Sequence, residues 1–402
     1  LALSRILHLD GLLSSFMLLA LVSYLYFWKT KRWSALIVCG IASAMSWLTK
    51  SPGLFLLPFL GGMTLVLAFV AQKPSGKQAW KNYFGFTSLV LTIWALSLGA
   101  TSLLLWPALT AKPLQVMHLV LSKGMQSAQE GHEQALFFNG TIYPTGQIGL
   151  RVWDFYPINF LFRTTPLTLL GLGLTPLIFL HNRRSSIKRT ELIFLIIIAL
   201  FGLGFMAFMS LGDKKFDRYI LPVFPALDLI AALGYFGLFK VGDKQGKFRP
   251  WAATIMMILI IAAQALSSLS IFPYMISYYN PLLGGPSRAP QIMDVGEGEG
   301  LELAARYLNQ KPNAQDLQVF AWYATGCFSY FFNGTTRQIR PMENVTAKRL
   351  QSLTKADYVV IYINQQQRGL GRLYLDFVQD KPLEKLITIN QIEYVRIYRV
   401  QP

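Results

Sequence analysis

The run Gly212-Asp213-Lys214-Lys215-Phe216-Asp217-Arg218 sets three cations and two carboxylates between two apolar stretches. Basic groups that converge at one membrane depth hold a phosphate through charge-assisted hydrogen bonds, which partial desolvation strengthens. Lys215 and Arg218 are therefore the first candidates to bind the phosphate of a lipid headgroup, and Arg5, Lys50 and Arg163 the second. Arg151 and Lys214 map to the same side. Simple snorkelling to ordinary headgroups is the competing reading for each, although ionisable residues wedged between spans are functional candidates by default. Arg5 and Asp10 bracket the start of the first apolar stretch. An aspartate there can position a sugar hydroxyl, assist a proton transfer or pair with the arginine. In Glu130-Gly131-His132-Glu133 an imidazole stands between carboxylates. His132 and Glu133 are candidates for a divalent metal or for acid/base work, with a solvated loop as the alternative. Trp153-Asp154-Phe155-Tyr156-Pro157 suits an interface belt or a sugar-binding surface.

These residues need a scaffold, and composition says which kind. Of 402 residues 53% are apolar and only 14% charged, against roughly 25% charged in ordinary globular chains. That excludes a soluble enzyme of this size. The net charge of +17 lies between long apolar runs rather than in aromatic-laced clusters, which argues for membrane topology and against nucleic acid. Apolar stretches near the length of a bilayer crossing predict eight spans, at 11–28, 33–49, 53–71, 84–106, 164–180, 191–210, 219–239 and 251–272. Lys50-Ser51-Pro52-Gly53 marks a tight reversal between the second and third.

Orientation follows from the basic loops. One alternate set holds Lys29, Lys31 and Arg32; Lys73, Lys77 and Lys81; Arg183, Arg184, Lys188 and Arg189; and Lys240, Lys244, Lys247 and Arg249. That set is assigned to the cytoplasm, so the loop 107–163 and the tail 273–402 are expected outside it. Within the loop, Leu114, Met117, Leu121 and Met125 recur at helical spacing over 113–129, which predicts an interfacial helix.

The fold expected is a polytopic α-helical membrane domain at 1–272 with a small C-terminal α/β domain at 273–402. In the tail, Leu301 to Leu308 reads as helix, Leu317 to Tyr323 and Tyr358 to Ile363 as buried strands, and Ile387 to Ile389 with Tyr394 to Val400 as a hairpin around Asn390-Gln391. It contains no glycine-rich phosphate loop, nucleophile elbow or zinc-like Cys/His spacing. A cap over the membrane site or a partner surface is its default role. Cys39 and Cys327 fall in different domains and are not expected to pair.

Taken in order, these motifs resemble the polyprenyl-phosphate-dependent glycosyltransferases of the GT-C superfamily, in the branch with protein O-mannosyltransferases and aminoarabinose lipid A transferases. The likeness is carried by the Arg5 to Asp10 spacing, Leu48-Thr49-Lys50-Ser51-Pro52-Gly53, Trp106-Pro107, Gly131-His132-Glu133 with Phe138-Asn139-Gly140, and Phe155-Tyr156-Pro157. It continues through Leu161-Phe162-Arg163-Thr164-Thr165-Pro166 and Lys215-Phe216-Asp217-Arg218-Tyr219-Ile220-Leu221-Pro222. The resemblance implies an inverting transfer of a sugar from a polyprenyl-phosphate donor to a protein, lipid or glycan acceptor, at the outer face of a bacterial inner membrane. It also implies a principal catalytic carboxylate in an outer loop upstream of Leu1, with Asp10 in a later, supporting acidic position. The chain opens on Leu-Ala-Leu-Ser-Arg without Met, and is expected to begin partway through its membrane domain. Lys50 matches a lysine position of the family or caps its own turn. His132 and Glu133 fall near where related transferases hold a metal or donor phosphate, so a divalent metal is the one cofactor left open. A carrier or flippase for a lipid-linked saccharide is the alternative function; the matched halves with paired broken helices that carriers often show are not evident here.

Overall fold

The computed structural model describes residues 8–130, 134–146, 148–181, 189–244, 250–339, 347–369 and 371–401. The chain forms two compact units, one of residues 1–131, 149–160 and 166–262, the other of 132–148, 161–165 and 263–402.

Helices make up most of the first unit: α1 (Asp10–Thr30), α2 (Trp33–Thr49), α3 (Leu56–Gln72), α4 (Lys77–Leu105), α5 (Ala108–Ala111), α6 (Pro113–Glu130), α8 (Pro166–His181), α9 (Arg189–Ser210) and α10 (Val223–Lys244) lie within it, and α7 (Phe155–Arg163) and α11 (Pro250–Leu269) begin in it and end in the other unit. An apolar helix stands at each of the eight expected spans, but among the described residues only five are long and apolar enough to cross a membrane. A sixth arises if α7 and α8, bent by 111° at their junction, are counted as one broken span. Helix α2 has 17 residues, and at 1.5 Å per residue covers about 25 Å of a hydrocarbon layer about 30 Å thick. The apolar part of α10 is similarly short.

Lipid supplies no hydrophobic drive between helices, so close backbone approach and interhelical hydrogen bonds hold them together. Tyr24 of α1 meets Thr64 of α3 at 3.1 Å, and Trp47 of α2 donates to Ser102 of α4 at 3.0 Å. Between α8 and α10, a Cβ on Gly234 would fall 2.2 Å from the Gly171 carbonyl oxygen, an approach open only to glycine. The expected helix at 113–129 forms as α6, with none of its residues buried and Leu114, Leu121 and Met125 exposed. Its last turn is tied to the loop after α9, where the Asp213 amide donates to the Ala128 carbonyl at 2.7 Å.

The second unit carries a short hairpin, β1 (Leu136–Phe138) with β2 (Thr141–Tyr143), and a five-stranded mixed sheet. Its strands are β3 (Gln318–Ala321), β4 (Thr335–Gln338), β5 (Tyr358–Tyr362), β6 (Leu383–Ile389) and β7 (Ile392–Arg399), in the order β4-β3-β5-β7-β6. Strands β4, β3 and β5 run parallel, and β7 and β6 continue antiparallel. Five helices complete it: α12 (Gly285–Ile292), α13 (Leu301–Leu308), α14 (Ala347–Thr354), α15 (Ile363–Gln367) and α16 (Arg372–Val378). All five residues of β5 are buried, which is why the strand reads as an unbroken apolar run. The β6–β7 turn places Asn390 and Gln391 at φ 46° and 66°, the left-handed pair of a two-residue hairpin.

The two units do not meet at the hydropathy boundary of 272/273. The tail unit begins at Ala263 and takes in residues 132–148 and 161–165 from the long loop. Polar and backbone bonds explain the reassignment. Asn139 donates its amide to Ile292 at 2.6 Å, Asn280 donates its amide to the Phe162 carbonyl at 2.7 Å, and Arg368 bonds both Gln134 and Asp294. Such bonds leave no trace in a hydropathy profile.

Candidate functional site

Asp10 opens α1, where the positive end of the helix dipole favours a carboxylate, and it is 3% exposed. A buried ionised carboxylate needs partners, and three reach it. Lys50 bonds Oδ1, while Nδ1 of His8 lies 2.9 Å and Nε of Arg218 3.4 Å from Oδ2. Each partner comes from a different local structure. Lys50 sits in extended backbone between α2 and the 3-10 turn Ser51–Phe55. The turn presses so closely on α2 that a Cβ on Gly53 would fall 2.5 Å from the Ser46 hydroxyl, which holds the lysine in place. Arg218 stands in the 3-10 turn Asp217–Ile220 before α10, and His8 precedes α1.

Aromatic faces support the cations. Nζ of Lys50 lies 4.2 Å from the Tyr219 ring centre, and the Arg218 guanidinium lies 4.4 Å from that of Phe216 and 5.8 Å from that of Tyr219, within the range of cation–π attraction. Burial lowers the Lys50 pKa, the bond to Asp10 opposes that shift, and Arg218 and Lys214 add to it. Burial also lowers the His8 pKa, against the pull of Asp10 and with the push of Lys50 and Arg218. Two cations thus face one carboxylate, beside an imidazole whose pKa burial lowers. Two cations gathered in one largely buried cluster suit an anion.

The remaining expected residues fall elsewhere. Lys215 is 1% exposed. Its ammonium donates to the Ser210 carbonyl at 2.9 Å and lies 5.3 Å from the Tyr156 ring. Burial pushes its pKa down to about 8, with Asp213 opposing. Extended backbone at Phe216 (φ −143°, ψ 147°) separates it from Arg218. Arg163 belongs to the other unit, where it donates to the Ile276 and Tyr278 carbonyls and lies 4.4 Å from the Tyr279 ring. Arg5, His132 and Glu133 lie outside the described residues. Among the described residues no group of three or more His, Cys, Asp or Glu side chains could hold a metal ion. An apolar cavity of about 470 Å³ lined by Ile198, Leu233, Phe236 and Met257 contains none of the charged groups.

Sequence reasoning missed His8 and the aromatic faces of Phe216 and Tyr219. The signal for His8 was present, since an imidazole two residues before a membrane-border aspartate can fold back onto it.

No family model matches the chain, and no curated protein matches it. Among solved structures, it is similar to ArnT from Cupriavidus metallidurans bound to undecaprenyl phosphate, at 14% identity and a TM-score of 0.39, over 97% of this chain and 74% of that one. It is also similar to the archaeal oligosaccharyltransferase AglB from Archaeoglobus fulgidus in complex with an inhibitory peptide and a dolichol-phosphate, at 13% identity and a TM-score of 0.33, over 89% of this chain. The chain spans about half (52%) of the length of AglB. Similarity at this level leaves the chemistry to the residues themselves.

Proposed function

We propose that this chain transfers a sugar, with inversion, from a polyprenyl-phosphate donor to an acceptor at the outer face of a bacterial inner membrane. The observation that carries the reading is the convergence of Lys50 and Arg218 on the buried Asp10. Displacement at an anomeric carbon leaves negative charge on the departing phosphate, and pre-positioned cations meet that charge without reorganisation. A lipid phosphate is already a good leaving group, so Lys50 and Arg218 supply counter-charge in place of a general acid. Asp10 holds both cations and orients them. Lys215, with its ammonium on a backbone carbonyl, fixes the loop that carries Arg218. A divalent metal at His132 and Glu133 remains a proposal of the sequence, and no step here depends on it.

The topology agrees with an outer-face site. Asp10 lies at the end of α1 opposite the basic residues Lys29, Lys31 and Arg32, so the cluster falls on the side away from the positively charged loops. The sheet-containing unit is then extracytoplasmic, and the acceptor, whether protein, lipid or glycan, arrives from that side.

The test uses the full-length protein in membranes with a panel of undecaprenyl-phosphate-linked hexoses and pentoses. Lys50→Ala and Arg218→Ala are each expected to weaken undecaprenyl phosphate binding about 10-fold, the scale of one charged hydrogen bond, and to reduce sugar transfer further. Unchanged affinity and turnover in both variants would remove these residues from the site. Movement of the donor across vesicles with no glycosidic bond formed would replace the transferase reading by a carrier.

A further inference from the structure

We infer that the crevice at the carboxyl ends of β3 and β5 binds a ligand through an ammonium group, held by the side-chain carbonyl of Asn364 and the carboxylates of Glu297 and Glu299. The topology makes the crevice. Strands β3 and β5 are parallel neighbours, and the chain leaves β3 toward β4 but leaves β5 toward β6 and β7, at the opposite edge of the sheet. Open α/β sheets take their ligands where the connections part in this way. Fold alone assigns no chemistry, so the residues of the crevice decide what fits.

One side chain there is incomplete. Asn364 stands just after β5 and is 3% exposed. Its Nδ2 donates to the Gly296 carbonyl at 3.1 Å and to the Tyr323 hydroxyl, just beyond β3, at 3.2 Å. Both partners line the crevice, so the amide is held inside it. A backbone carbonyl only accepts, which fixes the amide nitrogen toward Gly296 and leaves Oδ1 as the free end. That oxygen has no hydrogen-bond partner, and a buried acceptor without a donor costs free energy until one arrives.

The surroundings add acceptors and negative charge. Gly298, at φ 116°, brings the loop before α13 against the exit of β3, where a Cβ on it would fall 2.8 Å from Sγ of Cys327. The Gly298 amide donates to the Tyr362 hydroxyl at 2.8 Å, and Tyr362 and the Glu297 amide donate to Oε2 of Glu299 at 2.9 and 2.7 Å. Both donors to Glu299 are neutral, so its charge is left uncancelled. Burial raises the Cys327 thiol pKa first, and Glu299, Glu302 and Glu297 raise it further. Their field thus converges at the mouth of the crevice, where Thr325, Gly326 and Cys327 are exposed. Among the described residues no group of three or more His, Cys, Asp or Glu side chains could hold a metal ion, which favours an organic cation. An ammonium brings several donors together with positive charge; a neutral saccharide brings donors without the charge, and a phosphate brings neither.

The experiment titrates spermidine, as a primary-amine probe, into the full-length protein in phosphatidylcholine nanodiscs, followed by calorimetry, with maltotriose and inorganic phosphate as neutral and anionic comparisons. Saturable binding of spermidine alone is expected in wild type. Glu297→Gln and Glu299→Gln, which keep the size of the side chain and remove its charge, are each expected to weaken it about 10-fold, the scale of one charged hydrogen bond. Asn364→Leu, which removes the unmatched acceptor, is expected to do the same; because it also removes two bonds of the fold, the two Gln variants carry the decision. Undecaprenyl phosphate affinity is expected to stay unchanged in all three, which separates this crevice from the Asp10 cluster. Equal spermidine affinity in wild type and both Gln variants overturns the inference. So does the absence of saturable spermidine binding, the result expected if water alone fills the place beside Asn364, and so does maltotriose binding in its stead. The readout needs no sugar transfer, so its failure leaves the transferase reading standing.

Discussion

Two buried ion pairs, one in each unit, look alike on paper and differ in what they can do. In the tail unit Arg368 meets Asp294 and also donates to Gln134, with side-chain exposures of 8% and 14% for the pair. One guanidinium is set against one carboxylate, and the bonds staple the loop residue Gln134 to the sheet-containing unit. In the membrane unit one carboxylate meets two cations, and a 39% exposed imidazole lies beside its second oxygen. Burial and long sequence separation are common to both. Of the two pairs, among the described residues, a second cation and a reachable imidazole accompany only Asp10, and those favour a site over a staple.

The comparison is broken most severely by the double variant Lys50→Ala/Arg218→Ala. It is expected to lower transfer by at least about 100-fold, the scale of removing two charged contacts to the leaving phosphate, as measured by undecaprenyl phosphate release. The corresponding change in the tail, Arg368→Met, leaves Asp294 buried without its cation and is expected to cost about 3 kcal/mol of stability, read as a lower denaturant midpoint for that unit. Adding Asp294→Asn should recover a large part of that loss, which a double-mutant cycle measures. Affinity for undecaprenyl phosphate is expected to stay unchanged in both tail variants.

A smaller effect sharpens the contrast within the membrane unit. Lys215 loses its proton at about 8 when folded and near 10.4 when unfolded. Between those values the unfolded chain binds more protons, so stability rises as pH increases from about 8 toward 10.4. Unfolding in detergent across that window should show the rise in wild type and its loss in Lys215→Met. The smallest effect belongs to the β6–β7 turn. Gln391 holds φ 66°, and Gln391→Gly should stabilise the tail by up to about 1 kcal/mol by removing the left-handed penalty.

What could be read from the sequence follows the reach of each interaction. Helices α1 to α4 and α8 to α11 were legible because lipid contact demands long apolar runs, and β5 because all of its faces are buried. The turn at Asn390-Gln391 was legible from local chemistry, and so was α13. The short edge strand β4 was not, since Thr335–Gln338 is polar and gains its order by pairing with β3. At the site, Lys50 and Arg218 were each legible as cations outside the set of basic loops, and Asp10 as a carboxylate at the start of the first apolar stretch. Their convergence was not, because it depends on how Gly53 seats its turn and on the 3-10 turn that aims Arg218. Lys215 and Arg218 stand three residues apart and read as one motif, yet the extended backbone between them sends one ammonium to the Ser210 carbonyl and the guanidinium to Asp10.

The central claim is that the cations around Asp10 bind the phosphate of a lipid-linked donor. Titration of undecaprenyl phosphate into the full-length protein in lipid nanodiscs, for wild type and Arg218→Ala, tests it most directly. The account predicts saturable binding in wild type and a Kd about 10-fold weaker in the variant, with the deficit shrinking as ionic strength rises. Equal affinity in the two proteins would contradict it.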